Sequence, residues 1–220
     1  MDRAWVTAFF KQPIAGSVAV RSLGLAGDGV ADRHNHGGID KAICAYSLDH
    51  YDHWRATLGL EEMPTGAFGE NFTLTGIDET GVCIGDVWGV GDVSEWDATA
   101  GGALANDRQS LAPRVKLQVS QPRQPCWKLA RRWRIKTLTA RVADSGLTGW
   151  YFRVLVEGTV AAGMPITLLE RPCPEWTITR CNELMYHDKH NKAAAKELAY
   201  LPQLSASWRE HFMQRAGELG

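Results

Sequence analysis

No stretch of this chain approaches the roughly 20 consecutive apolar residues that a bilayer-spanning helix needs, so its sequence gives no transmembrane segment. The opening residues Met1-Asp2-Arg3-Ala4-Trp5 lack the charged-then-apolar pattern of a secretory signal, and a cytoplasmic address is the expectation. Charge of one sign is missing as well. The 24 Lys and Arg stand against 25 Asp and Glu, for a net charge of −1, which leaves no global basic field for nucleic acid or an anionic membrane. Neither partner is expected. Cysteine is sparse: Cys44, Cys83, Cys126, Cys173 and Cys181 are odd in number and never spaced C-x-x-C. That argues against a disulfide framework, a structural zinc site and a ferredoxin-type cluster. Any redox activity would therefore draw electrons from a separate protein. A Gly-x-Ser-x-Gly elbow, a His-Glu-x-x-His pair, a Walker A loop and the dinucleotide fingerprint are all absent, which weakens hydrolase and nucleotide-binding readings.

What is present is an ordinary globular composition, 45% hydrophobic and 22% charged over 220 residues, enough for one medium domain with a small appendage. Short β-prone runs with glycine punctuation recur at 5–10, 17–21, 71–75, 82–90, 115–119 and 166–169. They predict an α+β protein, mainly β, whose strands form a closed or nearly closed barrel. Ser47 is a candidate N-cap for a helix whose Leu48, Tyr51, Trp54, Arg55 and Leu58 fall at helical spacing before Gly59. Further helices are expected from about residue 128 and, briefly, over 150–155. The segment 92–114 is small, polar and weakly periodic, and reads as a long surface loop. After residue 170 the stiff Arg171-Pro172-Cys173-Pro174 precedes three helical patterns near 177–187, 191–200 and 205–215. Thr177 or Thr179, Asn191, and Ser205 or Ser207 are the candidate caps. Two units follow, 1–170 and 171–220. The second makes a thin core alone and is expected to lean on the barrel or on a second subunit, as a homodimer would provide.

The chemistry-bearing run is Val119-Ser120-Gln121-Pro122-Arg123-Gln124-Pro125-Cys126-Trp127-Lys128-Leu129. Its two prolines stiffen an arm leaving a strand. Arg123 and Lys128 flank the thiol, and cations favour the thiolate that attacks electrophiles or ligates soft metals. A small buried residue after a strand is the other reading the run allows. Upstream, Gly24-Leu25-Ala26-Gly27-Asp28-Gly29 is followed by Arg33-His34-Asn35-His36-Gly37-Gly38-Ile39-Asp40-Lys41. Consecutive glycines can turn backbone N–H groups towards an anion, and Arg33, His36 and Lys41 add donors around it. His34 reads as a polar turn residue. His50, His53, His187 and His190 read as solvated or structural, with an exposed helix face expected for the first two. Asn71, in Phe68-Gly69-Glu70-Asn71-Phe72, can point into a pocket as donor and acceptor or belong to a turn that satisfies its own backbone. The aromatics of 149–153 read as core, with Arg153 facing an anionic ligand.

Taken in order, these blocks resemble the MOSC domain family, named for the C-terminal domain of molybdenum cofactor sulfurase. Gly24 to Asp28, His36-Gly37-Gly38 with Lys41-Ala42 and Tyr46, Phe68 to Asn71, Gly85-Asp86 and the cysteine run carry the resemblance. Trp176-Thr177-Ile178, Asn182 to Tyr186 and Leu201 to Arg209 are similar to the three-helix C-terminal extension of the YiiM-like subgroup. The 92–114 segment departs from it, as an insertion. The resemblance implies a β-barrel that binds molybdenum cofactor (molybdopterin), with Cys126 as the metal ligand. Cys126, His36 and Arg123 would be catalytic. Arg33, His36, Gly37, Gly38, Lys41, Asn71, Arg123 and Lys128 would hold the cofactor. The implied activity is reduction of small N-hydroxylated compounds, such as N-hydroxylated base analogues, to amines, with a separate electron-transfer reductase as partner. The alternative is a sulfur-carrier or cofactor-binding module that uses a Cys126 persulfide.

Overall fold

The computed structural model describes residues 6–31, 36–91 and 115–218. Among the described residues there are nine strands: β1 (Ser17–Arg21), β2 (Gly24–Leu25), β3 (Ile43–Ser47), β4 (Phe72–Leu74), β5 (Val87–Val90), β6 (Val115–Pro122), β7 (Trp150–Val156), β8 (Gly158–Ala161) and β9 (Ile166–Glu170). Six form one sheet in the order β4-β3-β7-β6-β5-β9, curled into a half-barrel, and β2-β1-β8 form a second, three-stranded sheet. β3 and β4 pair in parallel, and every other pairing is antiparallel. Register shifts in the β6–β7 and β5–β9 ladders bend the sheet, as bulges do. The framework is thus the expected α+β one.

Three local expectations need correction. Residues 150–155 are not helical: Trp150, Phe152 and their neighbours form β7, the strand between β3 and β6. Aromatic and β-branched side chains suit a pleated surface packed on both sides, which outweighs the helical spacing of the run. No strand covers 6–10. There Phe9 and Phe10 lie against the Arg132 guanidinium instead of pairing along a sheet edge. The 82–90 run is a strand only over β5, because at its start the buried Asp86 carboxylate accepts from Cys83 N–H at 2.9 Å and turns the chain. The 92–114 segment lies outside the described residues.

The helices are α1 (Tyr51–Leu58), α2 (Trp127–Trp133), α3 (Leu138–Ser145), α4 (Ile178–Tyr186), α5 (Lys192–Ala199) and α6 (Ala206–Ala216). Gly59 ends α1 in the left-handed conformation. Thr177, Asn191 and Ser205 cap α4, α5 and α6 by accepting from Arg180, Ala194 and Trp208 N–H groups. These last helices share one apolar core with the sheets. Trp176, Leu198, Trp208 and Phe212 pack in the same cluster as Ile43, Leu117, Val119 and Phe152. The attachment is also polar: Ser205 N–H donates to the Ser120 carbonyl and Ala206 N–H to Asp40 Oδ2. A second core, around Tyr46, Tyr51, Trp54, Phe68, Leu129, Leu138 and Val142, packs α1 and the α2–α3 pair beside the sheet. The site lies between that second core and the N-terminal segment.

Candidate functional site

The stiff arm behaves as its prolines dictate. β6 runs through Pro122, residues 123–125 have no regular structure, and α2 begins after Cys126. Cys126 is half-buried, whereas Cys44, Cys83, Cys173 and Cys181 are buried. Arg123 is 4% exposed and held from two sides. Its N–H donates to the Gly149 carbonyl at 3.0 Å, and its Nη2 donates to the Phe68 carbonyl at 2.6 Å. Its Nη1 is buried and has no hydrogen-bond partner among the described residues. A buried guanidinium N–H with no acceptor is costly, by about 1–3 kcal/mol or more for a charged donor, unless a ligand supplies the acceptor.

The Phe68–Asn71 turn that anchors Arg123 is itself fixed by Glu70. This buried carboxylate accepts from Gly66 N–H (2.8 Å), Phe68 N–H (3.0 Å), the Thr73 hydroxyl (2.9 Å) and the Tyr51 hydroxyl. Gly69 must be glycine there: its φ is +78°, and an added Cβ would lie 2.7 Å from the Phe9 ring. Asn71 is engaged within the protein at both ends of its amide. Its Oδ1 accepts from Cys44 N–H and its Nδ2 donates to Asp28 Oδ2, so both amide groups orient the wall and neither projects into the pocket.

The pocket so formed has a volume of about 120 Å3 and brings together Cys126, Arg123, Lys128, Lys41, His36 and Gly37. Gly38 (φ +84°) completes the turn without lining the cavity, and Asn71 lines a neighbouring one. Arg33 and His34 lie outside the described residues. Lys11, Cys44 and Tyr151 also line the pocket, and none of them carried a local signal for this site. Lys11 comes from the N-terminal segment and pairs with Asp28. Cys44 and Tyr151 are cross-strand partners of β3 and β7, a pairing the sequence does not announce. Arg153 faces Asp40 and Gln118 and takes no part.

Among the described residues the pocket is lined by four cationic side chains, Lys11, Lys41, Arg123 and Lys128, and by one carboxylate, Asp28. Burial lowers the Lys41 ammonium, with Asp40 pulling the other way. Burial outweighs the neighbouring Arg123 charge at Cys44 and pushes its thiol up to about 11, so Cys44 is neutral at physiological pH. Burial likewise keeps the Tyr151 phenol protonated. Cys126, the one half-buried cysteine of the five, lines the same pocket. Among the described residues no cluster of three or more His, Cys, Asp and Glu forms that could hold a metal ion. A metal here would take its other ligands from a cofactor. A second cavity, of about 660 Å3 and mostly apolar, shares Lys11, Leu25, Asp28 and Gly29 with the first.

His50 is a further correction. It is buried, not exposed, with Nε2 2.5 Å from Glu79 Oε2, while Glu79 Oε1 accepts from Gly149 N–H at 2.6 Å. Glu79 lies 29 residues beyond His50, beyond the reach of helix-face reasoning. The pair braces Gly149, and through its carbonyl the Arg123 backbone.

Comparison with known proteins gives the following. The family model described as "MOSC domain" matches residues 32–167, and "YiiM-like, 3-alpha helix domain" matches residues 176–215. YflK of Bacillus subtilis (strain 168) is 37% identical over 97% of this chain and 86% of its own length. A Gibberella moniliformis (strain M3125 / FGSC 7600) protein named "Reductase" is 36% identical over 78% of this chain, which spans only 27% of that longer protein. The crystal structure of YiiM from Geobacillus stearothermophilus superimposes with a TM-score of 0.77 at 38% identity, covering 96% of this chain and 90% of that one.

Proposed function

Because the chain belongs to the MOSC domain family and carries a YiiM-like three-helix unit, we propose that it is a molybdenum-cofactor-dependent reductase of small N-hydroxylated compounds. The observation that carries the reading is the half-buried Cys126 thiol in a pocket that, among the described residues, holds four cations and the Nη1 of Arg123 without a hydrogen-bond partner. That donor set fits the cofactor. A soft thiolate suits a metal held otherwise by sulfur ligands, and the cations suit an anionic phosphate.

In this reading Cys126 supplies the protein ligand to the metal. Arg123, fixed by the Phe68 and Gly149 carbonyls, donates Nη1–H to an anionic oxygen without reorganising. Lys41 and Lys128 neutralise the remaining negative charge, with Lys11 held in reserve by Asp28. The Gly37-Gly38 turn brings the backbone close to the ligand, and Arg33 belongs to the same cofactor-binding set. His36 lines the wall as the proton-passing group, the role imidazole fills best near neutral pH. The bound cofactor supplies two-electron removal of oxygen, and the overall change is R–NHOH plus two electrons and two protons to R–NH2 plus water. The electrons come from a separate reductase, in keeping with cysteines that are scattered and free. The much longer relative named "Reductase" supports a redox role for this type of domain.

The test is anaerobic reduction of an N-hydroxylated base analogue by holoprotein, with chemically reduced methyl viologen as electron source and amine formation as readout. Amine formed by wild type and lost in Arg123→Ala is expected. No amine from molybdenum-loaded wild type, together with a one-sulfur mass gain on Cys126 after exposure to a sulfur donor, would replace this reading with the sulfur-carrier one.

A further inference from the structure

Net charge conceals how unevenly this chain distributes its cations. Six of its 24 Lys and Arg, and none of its 25 Asp and Glu, fall within residues 127–141: Lys128, Arg131, Arg132, Arg134, Lys136 and Arg141. α2 sorts them by face. Lys128 is buried and lines the pocket, and Arg132 turns inward to the Phe9 and Gly66 carbonyls. Trp127 and Arg131 are four residues apart and share the other face, and Arg134, the left-handed residue that ends the helix, follows them. The Arg131 guanidinium lies 5.7 Å from the Trp127 ring centroid, which shows that the two side chains do meet on that stripe. Trp127 is 54% exposed, an unusual state for the largest apolar side chain. Arg134 and Lys136 are exposed at the end of α2.

This stripe is continuous with the candidate site. Trp127 follows Cys126 directly, and exposed Gln124 lines the same pocket. The start of α3 returns to the cysteine, where the Thr139 hydroxyl donates to the Cys126 carbonyl at 3.1 Å. Lys136 lies three residues before that contact. A cationic stripe around an exposed tryptophan has the composition of a binding hot spot, since Trp and Arg dominate such sites. Its charge calls for an acidic partner, and its position calls for one that exchanges something with the Cys126 site.

We infer that the Trp127–Arg131–Arg134–Lys136 surface is the docking site for an acidic electron-carrier protein, which delivers electrons beside Cys126, and flavodoxin serves as the acidic probe in its test. This rests on the reductase reading above for what the electrons do, but not for the docking itself. A carrier delivering two electrons, with two protons from solvent, balances the conversion of R–NHOH to R–NH2 and water. Complementary charge steers such encounters and makes them sensitive to salt.

The test separates docking from chemistry. Binding of oxidised flavodoxin to the full-length holoprotein is titrated by calorimetry at low and high salt, with wild type and the Arg131→Glu/Lys136→Glu variant. Rim charges of this kind predict about tenfold weaker binding in the variant, and a loss of similar size in wild type between about 50 and 300 mM salt. In parallel, viologen-driven activity of the variant is measured; it bypasses docking and should match wild type, which also shows that the variant is folded. Equal affinity in variant and wild type, or salt-independent wild-type binding, overturns the docking site. So does a random-sequence DNA duplex that binds more tightly than flavodoxin with the same charge dependence. Viologen-driven activity absent from wild type would instead overturn the reductase reading, leaving the docking result to stand by its own titration.

Discussion

Replacing Glu70 with glutamine tests whether the Arg123 pocket depends on one buried carboxylate. Glu70 is 2% exposed and accepts four hydrogen bonds, three at Oε1 and one, from Phe68 N–H, at Oε2. An amide cannot reproduce this. Turned one way, its NH2 faces Phe68 N–H, donor against donor; turned the other way, it faces three donors. The milder arrangement leaves one buried N–H without an acceptor, at about 1–3 kcal/mol, and makes the other three bonds neutral and so weaker. A total near 3 kcal/mol follows. For a chain of this length each kcal/mol lowers Tm by about 2–4 °C, so the variant should melt about 6–12 °C below wild type. Thermal unfolding followed by circular dichroism measures this directly. Thr73→Val removes one donor and leaves the carboxylate, and should cost about 1 kcal/mol. The two variants should also differ in cofactor retention, because only Glu70→Gln frees the Phe68 carbonyl that orients Arg123. A Tm shift under about 2 °C for Glu70→Gln would refute the keystone role.

Two further perturbations probe the brace behind the site. Burial alone would lower the His50 imidazole, but the Glu79 carboxylate beside it outweighs burial, and the folded value is raised. The stabilisation from this pair is therefore fully present below the unfolded histidine value of about 6.5 and is lost as pH rises through the higher folded value. His50→Gln should be less stable than wild type by the most near pH 5.5, with the gap closing towards pH 9; a denaturation gap constant across that range refutes the pairing. Gly149→Ala should cost 3 kcal/mol or more, on the order of a severe overpacking defect, since its Cβ would lie 2.3 Å from the Ala45 carbonyl oxygen at a φ of +75°. Gly38→Ala meets no atom within 4 Å and should cost only the backbone strain, about 1–3 kcal/mol. Urea midpoints that fall equally in both would show that the close approach of Gly149 to β3 is not the cause.

Where local chemistry decides structure, the sequence was legible. Thr177, Asn191 and Ser205 were readable as caps because each needs only a side-chain oxygen and an N–H three residues on. The arm to Cys126 was readable because proline constrains backbone without reference to the rest of the fold. β7 was not, since Trp150 to Val156 is apolar at both helical and strand spacing and only its flanking strands decide between them. β3 went unnoticed for the same reason. Cys44 and Tyr151 reach the pocket through that pairing, and Lys11 through an ion pair 17 residues along the chain. His50 was misread because the carboxylate that buries it comes from another segment. Of the candidate site, the sequence singled out Cys126, Arg123, Lys41 and His36, which the fold brings to one pocket, but not Glu70, Glu79 and His50, which fix their surroundings.

Metal content of protein purified from a cofactor-competent host tests the central claim most directly. Elemental analysis of wild type, Cys126→Ser and Cys126→Ala, prepared side by side, should find close to one molybdenum per wild-type chain and a large loss in both variants. Circular dichroism should show all three equally folded, because Cys126 lies at the half-buried rim outside both apolar cores. Metal-free wild type, or equal molybdenum in wild type and Cys126→Ala, would contradict the assignment of Cys126 as the metal ligand.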